Sequence, residues 1–244
     1  MTAGRKGKAF TLVELLVVIS IIALLMAILV PALQRARGQA RQLWCMTTLR
    51  TFSLAHKQYL AETGKYLPHT SYDPYTPWFN NDSFRRSIGL RILTREVKER
   101  RFSTIQEWTP NVTKKFICPE ASYALDHPED GFYPIDRSYG VNVSGDAAAA
   151  GRGVGDLSDK EGWVKRASEK LFMADALDWW IIYAFCDSND YFENGENWLG
   201  YETYGMTAYR HHGNVNVLYW DGHCGRLSPD EVMSDPNSLW EPIE

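Results

Sequence analysis

The chain has 244 residues, of which 45% are hydrophobic and 23% charged, and its net charge is −4. An ordinary apolar fraction with nine tryptophans is enough for a packed core, so the composition excludes a disordered chain. The mildly acidic balance gives no electrostatic reason to bind nucleic acid. The sequence patterns of serine hydrolases, zinc proteases and nucleotide-binding loops are missing, so we expect no enzymatic activity.

An unusual pattern occupies the start of the chain. Residues 1–9 carry three basic side chains, and an apolar run follows from Phe10 to Leu33. As a helix, the run to Val30 is about 31 Å long, close to the thickness of a membrane core. The basic leader favours the cytoplasmic side, which would place the rest of the chain outside the cytoplasm. Three polar side chains interrupt the run: Thr11, Glu14 and Ser20.

Two simpler explanations of this segment, a secretory signal peptide and an unprocessed signal anchor, do not account for Glu14. A secretory signal peptide has a shorter apolar core of roughly 7–15 residues. An unprocessed signal anchor would account for the leader and the apolar run. Neither explains Glu14, because a carboxylate inside a membrane span costs about 2.5 kcal/mol or more near its centre.

The segment from Ala9 to Leu16 resembles the type IV prepilin signal. In that family, a prepilin peptidase cleaves after a small residue, usually glycine, and methylates the new N-terminus. The resemblance implies cleavage between Ala9 and Phe10. It also makes Glu14 the fifth mature residue and Pro31 a residue of the assembly helix, at a position where the family often has proline.

The resemblance implies a set of partners and a location. The partners are prepilin peptidase, other pilin or pseudopilin subunits and the inner-membrane assembly platform. The protein would cross the inner membrane once, with a cytoplasmic leader and an extracytoplasmic head, and could enter a filament. Glu14 would pair with the N-terminal amine of a neighbouring subunit, although it could instead snorkel toward the lipid head groups.

Helical periodicity continues beyond the apolar run. Residues 34–63 form an amphipathic pattern, and Gly64 followed by Pro68 predicts the end of the helix. We therefore expect one helix from Phe10 to Thr63 that is bent at Pro31. The predicted buried face contains Leu43, Met46, Leu49, Phe52, His56 and Tyr59.

The remaining residues, 64–244, have the length of one globular domain. Three runs rich in apolar, β-branched or aromatic residues predict strands, and Asp221-Gly222 predicts the turn of a hairpin. These runs are Lys170–Ala174, Trp179–Phe185 and Asn214–Trp220. The predicted fold class is α+β and pilin-like, with a long N-terminal helix packed on an antiparallel β-sheet head.

A second resemblance lies near the C-terminus. His211, nine residues and then Asp221-Gly222 are similar to the H-X9-DG signature of a large prepilin-like family. Other segments resemble motifs of the same family, in the same order: Cys45–Arg50, Tyr66–Pro68, Cys118-Pro119 and Ser138–Asn142. We expect a structural role, in which His211 anchors the start of a strand through one hydrogen bond. A straight strand would place His211 and Asp221 about 30 Å apart, too far for a catalytic pair.

Four cysteines lie in the part predicted to be exported, where disulfides persist. Four cysteines allow three connectivities. The family resemblance favours Cys45–Cys118 together with Cys186–Cys224. Free buried thiols are the alternative.

No metal or other cofactor is expected. His211, His212, His223, Cys186 and Cys224 are suitable transition-metal ligands, but they lack zinc-finger spacing. Calcium is better supported than a transition metal, because an oxygen-rich loop supplies suitable ligands, although this loop lacks the spacing of an EF-hand. Its candidate ligands are Asp187, Asn189, Asp190 and Glu193.

These observations favour a structural subunit of a type IV pilus or of a type II secretion pseudopilus. The alternatives are a membrane-tethered extracytoplasmic binding module or adhesin and, with less support, a metal-dependent hydrolase. The subunit requires assembly through the N-terminal helix. A binding module would stay monomeric in the membrane, and a hydrolase would bind a stoichiometric metal.

Overall fold

A computed structural model describes residues 11–68, 70–72, 75–94, 114–126, 137–144, 164–197, 205–234 and 236–241. The predicted leader and the cleavage site at Ala9 and Phe10 lie outside these residues. The chain divides into two compact units, residues 1–40 and residues 41–244.

Helix α1 spans Leu12–Thr63, and its predicted first residue, Phe10, lies outside the described residues. It continues through Pro31 without interruption. Its end is as predicted: Gly64 has a φ of +67° and its N–H donates to the Leu60 carbonyl at 2.8 Å. Within the described part of the chain, α1 is the one helix long and apolar enough to cross a membrane.

The C-terminal part of α1 is a core element of the second unit. Its buried side chains recur every three or four residues, as expected for one face of a helix. They are Cys45, Thr48, Leu49, Phe52, Ser53, Ala55 and His56. The prediction for Leu43 is wrong, because its side chain is 63% exposed. Cys45 begins the buried face instead.

The second unit contains a five-stranded sheet with the strand order β5-β3-β4-β6-β7. Its strands are β3 (Tyr139–Asn142), β4 (Leu171–Asp175), β5 (Trp180–Ile181), β6 (Val215–Tyr219) and β7 (Cys224–Leu227). A separate hairpin joins β1 (Thr70–Tyr72) to β2 (Tyr75–Pro77). The prediction of an antiparallel sheet is corrected to a mixed one, because β3 and β5 pair in parallel.

The predicted strand over Trp179–Phe185 is much shorter in the structure. Strand β5 covers Trp180–Ile181, and a 3₁₀ turn follows at Tyr183–Phe185. β5 lies at the sheet edge, and its neighbour β3 ends at Asn142. Beyond Ile181 the chain turns to other partners: the Ile182 N–H donates to the Gly205 carbonyl at 3.0 Å, and the Tyr183 N–H donates to the Ser144 hydroxyl at 2.9 Å. These contacts replace strand pairing, so the apolar composition does not lengthen β5.

Short helices complete the second unit: α2 (Asp82–Ser87), α3 (Ser122–Asp126), α4 (Ser188–Asn194) and α5 (Pro229–Met233), followed by a π-helical turn at Pro236–Trp240. The buried residues form two hydrophobic clusters. The first contains Phe52 of α1, whose ring lies 5.4 Å from that of Trp78 and 5.5 Å from that of Tyr139. The second surrounds Trp240. Strands β4 and β6 contribute to both clusters and separate them.

Candidate functional site

The first candidate site is the start of α1. The Thr11 N–H and hydroxyl both lie 2.8 Å from Glu14 Oε2, and the Glu14 N–H lies 3.2 Å from the Thr11 hydroxyl. This is a capping box, in which the two side chains satisfy each other's backbone donors. The spacing Thr-x-x-Glu is the usual sequence signature of a capping box, but we did not predict one here. Glu14 therefore has a local structural role in addition to the assembly role that the resemblance implies.

Apolar side chains are exposed around the rest of this segment. The large apolar residues from Leu12 to Leu33 are between 45% and 79% exposed, among them Leu24, Ile28 and Leu29. The Ser20 hydroxyl donates to the Leu16 carbonyl at 2.8 Å, so it is satisfied inside the helix. Glu14 is the one residue between positions 11 and 33 whose side chain carries a charge. A helix of this kind needs lipid or other apolar helices around it.

The second candidate site surrounds His211, which is fully buried. Its Nε2 atom lies 3.4 Å from Asp175 Oδ2 and 3.6 Å from Cys118 Sγ. Its Nδ1 atom lies 3.2 Å from Glu120 Oε2. Cys45 of α1 completes the group, with its sulfur 2.8 Å from that of Cys118. We call Cys45, Cys118, Asp175 and His211 the Cys-Asp-His cluster.

Electrostatics in this cluster favour a charged histidine. Burial lowers the pKa of His211, but Asp175, with help from Cys118 and Glu120, outweighs burial and raises it to about 11. Burial raises the pKa of Cys118, whereas contacts with Cys45 and His211 lower it to about 6. The neighbouring Cys118 and burial raise the pKa of Cys45. His211 therefore does more than anchor a strand through one hydrogen bond, as the sequence analysis expected.

The other end of the H-X9-DG segment contacts α1. The Lys57 ammonium donates to the Asp221 carbonyl. The Asp221 carboxylate accepts from the His223 N–H at 3.0 Å and lies 2.6 Å from its ring Nδ1. Gly222 adopts a φ of +93°, and the Gly222 N–H donates to the Tyr219 carbonyl. The predicted Asp-Gly turn is therefore confirmed, and it packs against α1.

The spacing of the motif follows from this arrangement. His211 and Asn214 exchange backbone hydrogen bonds in a turn, so the strand begins only at Val215. The five residues of β6 extend about 17 Å rather than the 30 Å expected for a straight strand from His211. Along α1, Cys45 and Lys57 are about 18 Å apart. The two ends of the motif therefore contact two places on α1 that are separated by the length of β6.

Gly222 provides a test of this contact. A Cβ atom there would lie 2.6 Å from both Ser53 Oγ and Lys57 Nζ, and φ is positive. Gly222→Ala should lower the free energy of unfolding by about 1–3 kcal/mol. Gly64→Ala is the matched control, because Gly64 also has positive φ but nothing lies within 4 Å of its Cβ position. Denaturant unfolding of the full chain in detergent, followed by tryptophan fluorescence, measures both. Equal losses would show that the turn does not pack on α1.

The cysteines follow the sequence prediction in part. All four are free thiols in the structure. Cys45 and Cys118 are adjacent, and a bond between them remains a prediction. Cys186 belongs to the second hydrophobic cluster, where its thiol donates to the Tyr183 carbonyl at 2.9 Å. Cys224 packs on the first cluster. The structure therefore does not bring the predicted pair Cys186–Cys224 together.

The other predicted ligands are dispersed. Asp187 caps α4 and accepts from the Asn189 N–H at 2.8 Å, while Asp190 and Glu193 lie within that helix. Calcium binding there remains an untested expectation. The His223 ring stacks on Tyr219 at 4.1 Å, and His212 is exposed. The set of His211, His212, His223, Cys186 and Cys224 considered from sequence is therefore not assembled.

Two weaker sequence motifs meet beside His211. The Cys118 N–H donates to the Ser138 hydroxyl at 3.2 Å, which joins the Cys-Pro segment to the Ser-Tyr-Gly-x-Asn segment. Asn142, at the end of that second segment, donates to the Leu171 and Trp240 carbonyls. These motifs can be recognised in the sequence. The participation of Asp175 in the cluster cannot, because a single aspartate at the end of a strand belongs to no sequence motif.

Comparison with known proteins supports the predicted prepilin-type N-terminus. Residues 4–30 match the family model described as the prokaryotic N-terminal methylation motif. The match is consistent with a type IV prepilin-like protein, and it covers Ala9, Phe10 and Glu14. It does not extend to the H-X9-DG segment. No curated protein and no solved structure matches the chain.

Proposed function

We propose that this prepilin-like chain is a structural subunit of a type IV pilus or of a secretion pseudopilus. The observation that carries the proposal is the methylation motif over residues 4–30. Proteins with this motif are substrates of prepilin peptidase. On this proposal, the peptidase cleaves after Ala9, methylates Phe10 and leaves α1 free to assemble with other pilin subunits on an inner-membrane platform.

The exposed surface of α1 supports assembly. A single apolar helix near the N-terminus fits a single-pass inner-membrane anchor. Its side chains are exposed on every face between Leu12 and Leu33. Before assembly, lipid covers this surface, and in a filament the helices of neighbouring subunits replace the lipid. We propose that the leader faces the cytoplasm and the head lies outside it.

Because Glu14 belongs to a capping box, one substitution can separate its role as a helix cap from its proposed role in assembly. As a cap, the side chain needs an acceptor oxygen, which glutamine also supplies. As an assembly residue, it needs a negative charge to neutralise the amine of a neighbouring Phe10 in lipid. Glu14→Gln therefore retains the cap and removes the charge.

We expect Glu14→Gln to be exported and processed like the wild type but to be lost from sheared filaments. An unpaired charge in lipid costs about 2.5 kcal/mol or more, which corresponds to roughly a 70-fold weaker incorporation. Mass spectrometry of the N-terminal peptide and quantification of sheared filaments in the producing bacterium measure both steps. Thr11→Ala is the matched control, because it removes the capping hydroxyl and leaves the charge.

Each failure of this experiment has its own meaning. A wild-type chain that still starts at Met1 would contradict processing. Normal incorporation of Glu14→Gln would reduce Glu14 to a helix cap. A processed wild-type chain that stays monomeric in the membrane would favour the tethered binding module or adhesin over the filament subunit.

A further inference from the structure

The Cys-Asp-His cluster contains four ligand-type side chains from four distant segments. Cys45 lies on α1, Cys118 follows a 3₁₀ turn, Asp175 ends β4, and His211 precedes β6. All four residues are buried, and their sulfur, nitrogen and oxygen atoms lie within 4.8 Å of one another. We propose that these four side chains bind one zinc-type divalent ion.

Two of the distances between ligand atoms fit tetrahedral coordination, and the distance between the sulfurs must lengthen. For bond lengths of about 2.3 Å to sulfur, 2.05 Å to nitrogen and 2.0 Å to oxygen, neighbouring sulfur and nitrogen ligands are about 3.6 Å apart, and nitrogen and oxygen about 3.3 Å. The structure has 3.6 Å between Cys118 Sγ and His211 Nε2. It has 3.4 Å between His211 Nε2 and Asp175 Oδ2. The two sulfurs, 2.8 Å apart, would separate by about 1 Å on binding.

Neighbouring groups already orient the ligands. Glu120 Oε2 lies 3.2 Å from His211 Nδ1, an ion-pair contact without hydrogen-bond geometry, and Nε2 faces the cluster. A carboxylate beside the second ring nitrogen is the usual neighbour of a histidine bound to zinc. Arg41 lies 3.0 Å from Glu120 on its outer side. The Asn216 N–H donates to Asp175 Oδ2 at 2.8 Å, while buried Asp175 Oδ1 has no hydrogen-bond partner among the described residues.

The donor set selects the class of metal. Two sulfurs and an imidazole favour zinc and exclude calcium and magnesium, which prefer oxygen ligands. On binding, both cysteines coordinate as thiolates and His211 as a neutral imidazole, so the protons that these groups carry, including the extra proton of a charged His211, are released to solvent. Because four protein ligands fill a tetrahedral shell and all four are buried, the site is structural rather than catalytic. It would join α1 to the sheet of the second unit.

A disulfide between Cys45 and Cys118 is the competing state, because it consumes both thiolates. Full-length protein isolated in detergent without reductant or chelator distinguishes the two states. We expect about one zinc per chain by elemental mass spectrometry, with Cys45 and Cys118 recovered as alkylatable thiols after denaturation. A mapped Cys45–Cys118 disulfide with no zinc would overturn the proposal.

Cobalt(II) titration of the chelator-treated full-length protein tests the ligands. We expect one equivalent to bind, with thiolate-to-cobalt charge-transfer absorption and the strong visible bands of tetrahedral cobalt. Cys118→Ser should lose the charge-transfer intensity contributed by its sulfur, whereas Cys224→Ser, outside the cluster, should leave the spectrum unchanged. Equal binding by the wild type and Cys118→Ser would indicate an adventitious ion only.

Glu120→Ala provides a milder test that does not depend on the folding of a cysteine variant. Glu120 is a positioning residue, since it contacts His211 and not the proposed ion. Loss of such a contact weakens metal binding by about 10–100-fold. We expect this loss of cobalt affinity with a retained tetrahedral spectrum. Unchanged affinity would contradict the positioning of His211 by Glu120.

Discussion

Replacement of His211 by alanine is expected to lower the free energy of unfolding by about 3–5 kcal/mol. The side chain is fully buried between the carboxylates of Asp175 and Glu120. Asp175 is also fully buried, so the substitution leaves a buried negative charge without its histidine partner. The sequence analysis expected the loss of about one hydrogen bond, which is worth 0.5–1.5 kcal/mol.

The adjacent histidine is the matched control for this substitution. His212 is exposed, and surface replacements change the free energy of unfolding by about 0.5 kcal/mol or less, so His212→Ala should have little effect. Urea unfolding of the full chain in detergent, with chelator present, keeps metal from contributing to the difference. All nine tryptophans lie at or after Trp44, so their fluorescence reports on the second unit. If His211→Ala lowers the free energy of unfolding by less than 1.5 kcal/mol, the role of His211 is limited to about one hydrogen bond.

Replacement of Arg210 by methionine is expected to have a similarly large effect, about 3–5 kcal/mol. The buried guanidinium contacts Glu196 through two nitrogens, at 2.6 and 2.9 Å. It also donates to the backbone carbonyls of Arg137, Ser138 and Ala176. Methionine preserves much of the side-chain volume but leaves the carboxylate and three carbonyls without this donor.

An exposed ion pair supplies the control for Arg210. The side chains of Arg166 and Glu169 are 53% and 57% exposed, and Arg166→Met should cost about 0.5 kcal/mol or less. The double variant Arg210→Met/Glu196→Gln should be less destabilised than the sum of its single changes, because glutamine removes the buried charge. Additive losses in denaturant unfolding would show that the pair is not coupled.

The N-terminal features could be predicted because their physics is local. A basic leader, an apolar run and an early glutamate lie within a few residues of one another, and each has a direct meaning in a membrane. The end of α1 at Thr63 was predicted for the same reason, since Gly64 supplies the positive φ of a helix C-terminus. The Asp221-Gly222 hairpin also depends only on adjacent residues.

Other predictions failed where neighbours decide the outcome. The composition of Trp179–Phe185 favours a strand, but after Ile181 the backbone leaves β3 and the Ile182 N–H donates to the Gly205 carbonyl instead. The face of α1 was predicted to include Leu43, yet burial begins at Cys45, which packs against Cys118. The length of a strand and the burial of a side chain both depend on the neighbouring elements of the fold. Sequence periodicity carries no information about those neighbours.

A prepilin-type N-terminus, a long helix and an α+β head could all be predicted from patterns of residues that lie close together in the chain. The role of His211, in contrast, depends on contacts that form when the chain folds. Its partners lie at Cys45, Cys118 and Asp175, between 36 and 166 residues away along the chain. No local spacing connects these positions, because the packing of α1 against β4 and β6 brings them together. The sulfurs, the carboxylate and the imidazole become a candidate metal site only through that packing.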